Sequence, residues 1–231
     1  MKIHPLFPVT VCEFEYPDSH SFNQILSKNI FNHLDKNGLS DELTGHVTIH
    51  HDPNFYHLFC FIQNCVKQYM NLLDINTELF EISFVKSWFN ILKDRNTRKH
   101  AHGDAHISIV YYANIPKENN QSIRFYNYDP RVEPYTGSMK YNKKTDSWNI
   151  LNSYTWSFLP KEGDIFIFPA SLLHDTTCEK QLSLSQTGIK TLEDYKDHRI
   201  AIAADIVLTY KEKVPSPLGI QPLKNWRTFN D

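Results

Sequence analysis

The spacing of apolar residues changes once along this chain, near residue 78. That change restricts the folds open to it more than any other feature. Before it the period is helical. Phe22, Ile25, Leu26, Ile30 and Leu34 recur at helical intervals, and Gly38 follows as a stop. A second helix opens at Asp52-Pro53, a cap followed by a first-turn proline. Its stripe runs through Phe55, Leu58, Phe59, Ile62, Val66, Tyr69, Met70 and Leu73. After Glu78 the period is two. Phe80, Ile82 and Phe84 lead into Ser87-Trp88-Phe89-Asn90, and further strands are expected at 107–114, 122–128, 154–159, 164–168 and 200–210. Helices followed by strands predict an α+β fold, with the helices covering one face of an antiparallel barrel or double sheet. Residues 129–153 and 179–198 read as long connections, which on a compact barrel are often functional.

A chain of 231 residues is long enough for one domain with a full core. Its net charge of −2 carries no basic footprint, so a nucleic-acid backbone is not an evident partner, although nucleotide substrates stay open. No apolar run is long enough to cross a bilayer, which makes a soluble cytoplasmic protein the plain expectation. The cysteines, Cys12, Cys60, Cys65 and Cys178, lack CxxC spacing. Cys60 and Cys65 fit a helix core better than a metal site. Neither GxGxxG nor GxxxxGK occurs, so the phosphate-binding loops those motifs build are not indicated.

The chemistry concentrates in His100-Ala101-His102-Gly103-Asp104-Ala105-His106, just ahead of the strand Ile107-Ser108-Ile109-Val110-Tyr111-Tyr112. If extended, the segment turns all four even-numbered polar residues to one face. Three imidazoles and a carboxylate there are costly to bury without a cation. Two later segments add to this. Ile165-Phe166-Ile167-Phe168 is a buried strand, and His174 follows just past its end. In His198-Arg199-Ile200-Ala201-Ile202-Ala203-Ala204-Asp205, Ile200 and Ile202 take one side, while Arg199, Ala201, Ala203 and Asp205 take the other. An arginine beside small residues leaves room for a small anion, and its planar fork suits a carboxylate. Two histidines and one carboxylate on one face of iron leave three positions free, two for a 2-oxo acid and one for O2.

These pieces resemble the Fe(II)/2-oxoglutarate dioxygenase superfamily, in particular its small bacterial and phage oxygenases related to prolyl hydroxylases. The matching segments are Leu6-Phe7-Pro8, Ser87-Trp88-Phe89-Asn90, His100 to Tyr112, Asp129-Pro130-Arg131, Glu162 to His174 and Arg199 to Asp205. The resemblance implies a double-stranded β-helix (jelly roll) with N-terminal helices packed on one sheet. It implies one domain over 1–231, with a helical flank at 1–78, a jelly-roll core at 79–210 and a tail at 211–231. It assigns His102, Asp104 and His174 to Fe(II), with His100 an open alternative to His102 as first ligand. Arg199 and Tyr112 would hold the distant carboxylate of 2-oxoglutarate, and Asn90, Asp205 and Trp88 would line the pocket. The implied reaction consumes 2-oxoglutarate and O2, releases succinate and CO2, and hydroxylates a peptidyl or small-molecule substrate. Departures are Ile109 where relatives carry glycine, Ala201 where they carry serine, and extra residues around 179–197 that suggest a lid or substrate loop.

Two other readings compete. His100-x-His102-x-Asp104 echoes the zinc motif of metallo-β-lactamase-like hydrolases, although an alanine intervenes before His106 and a strand follows. A non-catalytic jelly-roll binding protein is the other. Iron-dependent conversion of 2-oxoglutarate to succinate separates all three.

Overall fold

The computed structural model describes residues 1, 8–37, 43–44, 48–92, 96–117, 121–127, 153–177, 191, 193–213 and 219–229. Asp129-Pro130-Arg131, nearly all of the 129–153 connection and most of 179–192 lie outside the described residues, as do Leu6, Phe7 and Gly38.

Nine strands and two α-helices are described: β1 (Cys12–Glu15), α1 (Ser19–Asn37), β2 (Leu43–Thr44), α2 (Tyr56–Leu72), β3 (Phe80–Leu92), β4 (Ile107–Asn114), β5 (Ser122–Tyr126), β6 (Thr155–Phe158), β7 (Asp164–Pro169), β8 (His174–Thr177) and β9 (Arg199–Tyr210). They form a six-stranded sheet in the order β1-β7-β4-β9-β3-β2 and a three-stranded sheet in the order β6-β5-β8. All strand pairs are antiparallel. The α+β class expected from the change of period is therefore present. The order differs in two respects: a strand, β1, precedes the first helix and pairs with β7, and a two-residue strand, β2, lies between the helices and pairs with β3.

The second helix begins as expected. The Asp52 carboxylate accepts from the Asn54 backbone N–H at 2.9 Å, and a short 3₁₀ turn at Pro53–Phe55 leads into α2. Leu58, Phe59, Ile62, Cys65, Val66, Tyr69 and Met70 form its buried stripe. That stripe packs with Leu26, Ile30 and Leu34 of α1 on Phe89, Ile91, Ile107, Ile109, Tyr111, Ile165, Ile167, Ile200 and Ile202 of the large sheet. Among the described residues no helix is long and apolar enough to cross a membrane.

The other face of the large sheet looks toward the small one. Tyr112, Phe166, Phe168 and Ala201 meet Ile123 and Phe125 of β5 there. Register fixes this sidedness. Ala201 lies opposite both Asn90 and Tyr112, Ala203 opposite both Trp88 and Val110, and Asp205 opposite both Lys86 and Ser108. Cross-strand partners share a face, so these residues and Arg199 line one surface. A tight turn before β7 helps hold β4 in place. Gly163 adopts φ +94°, donates its N–H to the Tyr112 carbonyl at 2.8 Å and accepts from Tyr16 N–H at 2.9 Å. A Cβ at this position would also collide with Ser19, so both backbone shape and space call for glycine.

Candidate metal centre

Three histidines converge at one end of the inner face. His100 and His174 form an antiparallel backbone bridge, each N–H donating to the other's carbonyl at 2.9 Å. The bridge extends the small sheet past β8 and sets the two rings 4.4 Å apart. His102 hangs from the turn after β7, its N–H donating to the Ala170 carbonyl at 2.8 Å. Its ring lies 5.2 Å from both His100 and His174. One ring nitrogen from each histidine lies within 4.8 Å of the others.

Hydrogen bonds on the far side of each ring identify which nitrogen that is. Nδ1 of His100 meets the Arg98 carbonyl at 2.7 Å, and Nδ1 of His174 meets the Leu172 carbonyl at 2.8 Å. A carbonyl only accepts, so each Nδ1 carries the proton and each Nε2 keeps its lone pair. Nδ1 of His102 meets Asp205 Oδ1 at 2.7 Å and Ser108 Oγ at 2.9 Å. Ser108 donates its one proton to Asp205 Oδ1 at 2.6 Å, so His102 Nδ1 is again the donor. Three imidazole lone pairs are thus turned toward one another. With nothing between them they repel; a divalent cation turns that repulsion into three bonds. Burial, reinforced by His100 and His102 nearby, pushes the His174 pKa down to about 4, so this ring is neutral near pH 7. Phe168, with its ring 4.9 Å from His174, keeps that side dry.

Asp104 is not part of this group. It is exposed, because residues 103 and 104 form a turn instead of continuing an extended strand. The alternation that put Asp104 beside His102 therefore stops at Gly103, and His106 is likewise exposed. The place expected for the carboxylate is filled from the other side of His102, by His100. This also removes the arrangement that a β-lactamase-like zinc site needs, since neither Asp104 nor His106 joins the cluster.

Arg199 marks the other end of the inner face. It is 2% exposed, donates from Nη2 to Tyr112 Oη at 3.0 Å and from Nη1 to Thr176 Oγ1 at 3.3 Å, and lies 4.7 Å from the Tyr112 ring centre. Among the described residues no carboxylate pairs with it, and its Nε has no hydrogen-bond partner. A buried cation with unused donors is costly unless an anion joins it. Thr176, which Arg199 meets, stands two residues from His174 on the same side of β8, about 7 Å along that strand. That span suits a short dicarboxylate reaching from metal to arginine. Burial raises the Tyr112 pKa although Arg199 pulls it down, so its hydroxyl keeps its proton. Asn90 shares this face, and its buried Oδ1 also lacks a partner.

Asp205, expected to line the cosubstrate pocket, shares the inner face with Arg199 and hydrogen-bonds to His102. It is fully buried in the middle of β9, six residues on from Arg199 and behind the His102 ring. Burial raises its pKa, but hydrogen bonds from His102, Ser108 and Lys86 outweigh that and leave it below the ordinary carboxylate value. Trp88 stands beside the cluster, its ring 5.6 Å from His102.

Residues 86–183, the stretch that holds all three histidines, match the family described as "Putative 2OG-Fe(II) oxygenase". That stretch of the chain is similar to the 2OG-Fe(II) oxygenases. This oxygenase uses Fe(II), 2-oxoglutarate and O2, and its histidine cluster fits the iron. Solved structures share the fold at low identity. A Pseudomonas putida prolyl-4-hydroxylase is 9% identical, with a TM-score of 0.52 over 86% of this chain and 92% of that one. SnoK, a non-heme α-ketoglutarate-dependent carbocyclase from nogalamycin biosynthesis, is 10% identical, with a TM-score of 0.55 over 88% and 82%. AviO1 from Streptomyces viridochromogenes is 9% identical, with a TM-score of 0.51 over 90% and 92%. At such identities the likeness concerns fold alone. No curated protein matches the sequence.

Proposed function

We propose that this oxygenase is a cytoplasmic hydroxylase of a peptidyl or small-molecule substrate, built on a jelly roll, with iron held by His100, His102 and His174. The observation that carries the reading is the convergence of three imidazole lone pairs one strand-step from a buried arginine without an anionic partner. Fe(II) with 2-oxoglutarate and O2 supplies an oxidative decarboxylation that yields succinate, CO2 and a hydroxylated product. The protein's own residues do the rest. The Arg98 and Leu172 carbonyls and the Asp205 carboxylate fix the three ring tautomers. Arg199, Tyr112 and Thr176 receive the distant carboxylate of the cosubstrate, and Arg199 gains there the charge partner it lacks. Ala201 contributes space and no hydrogen bond. Phe125 and Phe168 exclude water from behind His174, while Trp88 borders the side of His102 where a substrate can approach.

Anaerobic titration with Fe(II) and 2-oxoglutarate tests this, read from the metal-to-ligand charge-transfer band and from succinate formed on adding O2. His100→Ala and His174→Ala should lose the band and the turnover, and Asp104→Ala should keep both. Loss of the band in Asp104→Ala with retention in His100→Ala would restore a carboxylate ligand. Iron binding without succinate would favour the non-catalytic reading.

A further inference from the structure

The three histidines differ in what holds them from behind. His100 and His174 donate to neutral backbone carbonyls. His102 donates to a carboxylate with no exposure to solvent. Asp205 owes this position to register: β9 runs between β3 and β4, so Asp205 is flanked by Lys86 on one side and Ser108 on the other. Its Oδ1 takes His102 and Ser108, and its Oδ2 lies 3.1 Å from the Lys86 ammonium. Asp205 occupies the Nδ1 side of the ring, so it is not itself placed to be a ligand through the Nε2 side.

We propose that Asp205 is a positioning residue for the iron centre, supplying through His102 the negative charge that a ligand set of three neutral imidazoles lacks, with Lys86 limiting how much of that charge reaches the metal. The proposal rests on the three-histidine reading above. A carboxylate accepting from the outer N–H of a ligating imidazole makes the ring a stronger donor and holds its plane. In low dielectric the effect of such a charge is large, because little water screens it. Lys86 acts in the opposite sense. Its ammonium is partly solvated, with 31% side-chain exposure, and it draws Asp205 charge toward itself. It also lies 5.8 Å over the Trp88 ring, which ties the same lysine to the wall of the site.

The two residues therefore make opposite predictions, which a merely structural role would not. In the full-length protein, the Fe(II) dissociation constant is measured anaerobically by competition with a chromophoric chelator, and the Fe(III)/Fe(II) midpoint potential by spectroelectrochemistry. Asp205→Asn should weaken Fe(II) binding about 10- to 100-fold. It should also raise the potential, because Fe(III) loses more than Fe(II) when negative charge is removed. Lys86→Met should lower the potential. Shifts of opposite sign support the proposal; unchanged potentials, or shifts of the same sign, overturn it. If Asp205→Asn does not fold, Lys86→Met decides alone, since that side chain is partly exposed and a potential that fails to fall is fatal. Wild-type protein that binds no Fe(II) would instead remove the three-histidine centre itself, a separate failure.

Discussion

The two faces of the large sheet are made by alternating residues of the same strands, and they solve opposite problems. On the helix side, Ile200, Ile202, Ala204 and Ile206 of β9 meet Phe89, Ile109 and Ile167 under α1 and α2. The packing there is mainly apolar, and the buried Asn23 of α1 is satisfied by the Tyr111 hydroxyl of β4. On the inner side, Arg199, Ala201, Ala203 and Asp205 place a cation at one end, an anion at the other and small residues between. Asp205 has His102 and Ser108 on Oδ1 and the Lys86 ammonium 3.1 Å from Oδ2, whereas Arg199 has no carboxylate beside it among the described residues and keeps an unused Nε. One face stores stability and the other holds a site that remains incomplete until ligands arrive.

The sharpest way to break the comparison is to damage the filled face. Phe89 is 1% exposed, and its ring lies 5.7 Å from Phe55 and 5.5 Å from His33. Phe89→Ala should cost about 3–5 kcal/mol of unfolding free energy, measured by urea denaturation. Protein that remains folded should still bind Fe(II), because the histidines hang from the inner side. A loss below about 1 kcal/mol would mean that the helix face can collapse around the cavity.

A second test uses pH on the metal-free protein. The His174 pKa falls from 6.5 to about 4 in the folded state, chiefly through burial. Between those values the unfolded chain binds a proton that the native state does not, so stability rises with pH and falls on acidification. The loss through this window amounts to at most about 3 kcal/mol. Urea midpoints for wild type and His174→Gln from pH 7 to pH 4 isolate the effect: the slope should shrink in the variant. Equal slopes would mean that the ring titrates normally. Iron competes with that proton, so bound metal should flatten the wild-type slope.

How far this contrast was legible in the sequence depends on which interactions decide each part. The alternation of Ile200 and Ile202 against Arg199, Ala201, Ala203 and Asp205 is local to one strand, and it appears in the structure as read. So does the strand at Ile107–Asn114. β1 was not legible, because four residues with two glutamates become a strand only by pairing with β7. β8 was missed for a related reason: His174-Asp175-Thr176-Thr177 is polar, and partners on both sides make it a strand. The Asp104 expectation failed at a turn. Parity holds only while the chain stays extended, and Gly103 offered the one cue that it would not. Alternation put Asp205 on the right face yet could not say that it would lie behind His102, since that depends on the packing of β4 against β9.

The inner face yields smaller effects on stability and larger ones on ligand binding. Arg199→Met removes a buried guanidinium without a carboxylate partner, so the ligand-free protein should be as stable as wild type or slightly more so. Charge-assisted bonds to the cosubstrate go with it. The apparent 2-oxoglutarate affinity, followed by the charge-transfer band, should fall about 10- to 100-fold, from roughly 1.5–3 kcal/mol of lost interaction. A destabilised variant with unchanged affinity would make Arg199 a structural residue.

Tyr112→Phe is the finest probe of the same end. The phenylalanine keeps a ring beneath the guanidinium, where the arginine carbon lies 4.7 Å from the ring centre, and removes only the hydroxyl. In the wild type that oxygen accepts from Arg199 Nη2 at 3.0 Å, which leaves its own proton free to meet an incoming carboxylate. Burial keeps the phenol protonated, so this proton stays available across the physiological range. Its loss should weaken 2-oxoglutarate binding about 3- to 10-fold, matching one neutral hydrogen bond of about 0.5–1.5 kcal/mol. Iron affinity in the absence of cosubstrate should not change, because Tyr112 does not touch the histidines. Weaker iron binding in Tyr112→Phe would show that the two ends of the inner face are coupled through β4 instead of acting separately.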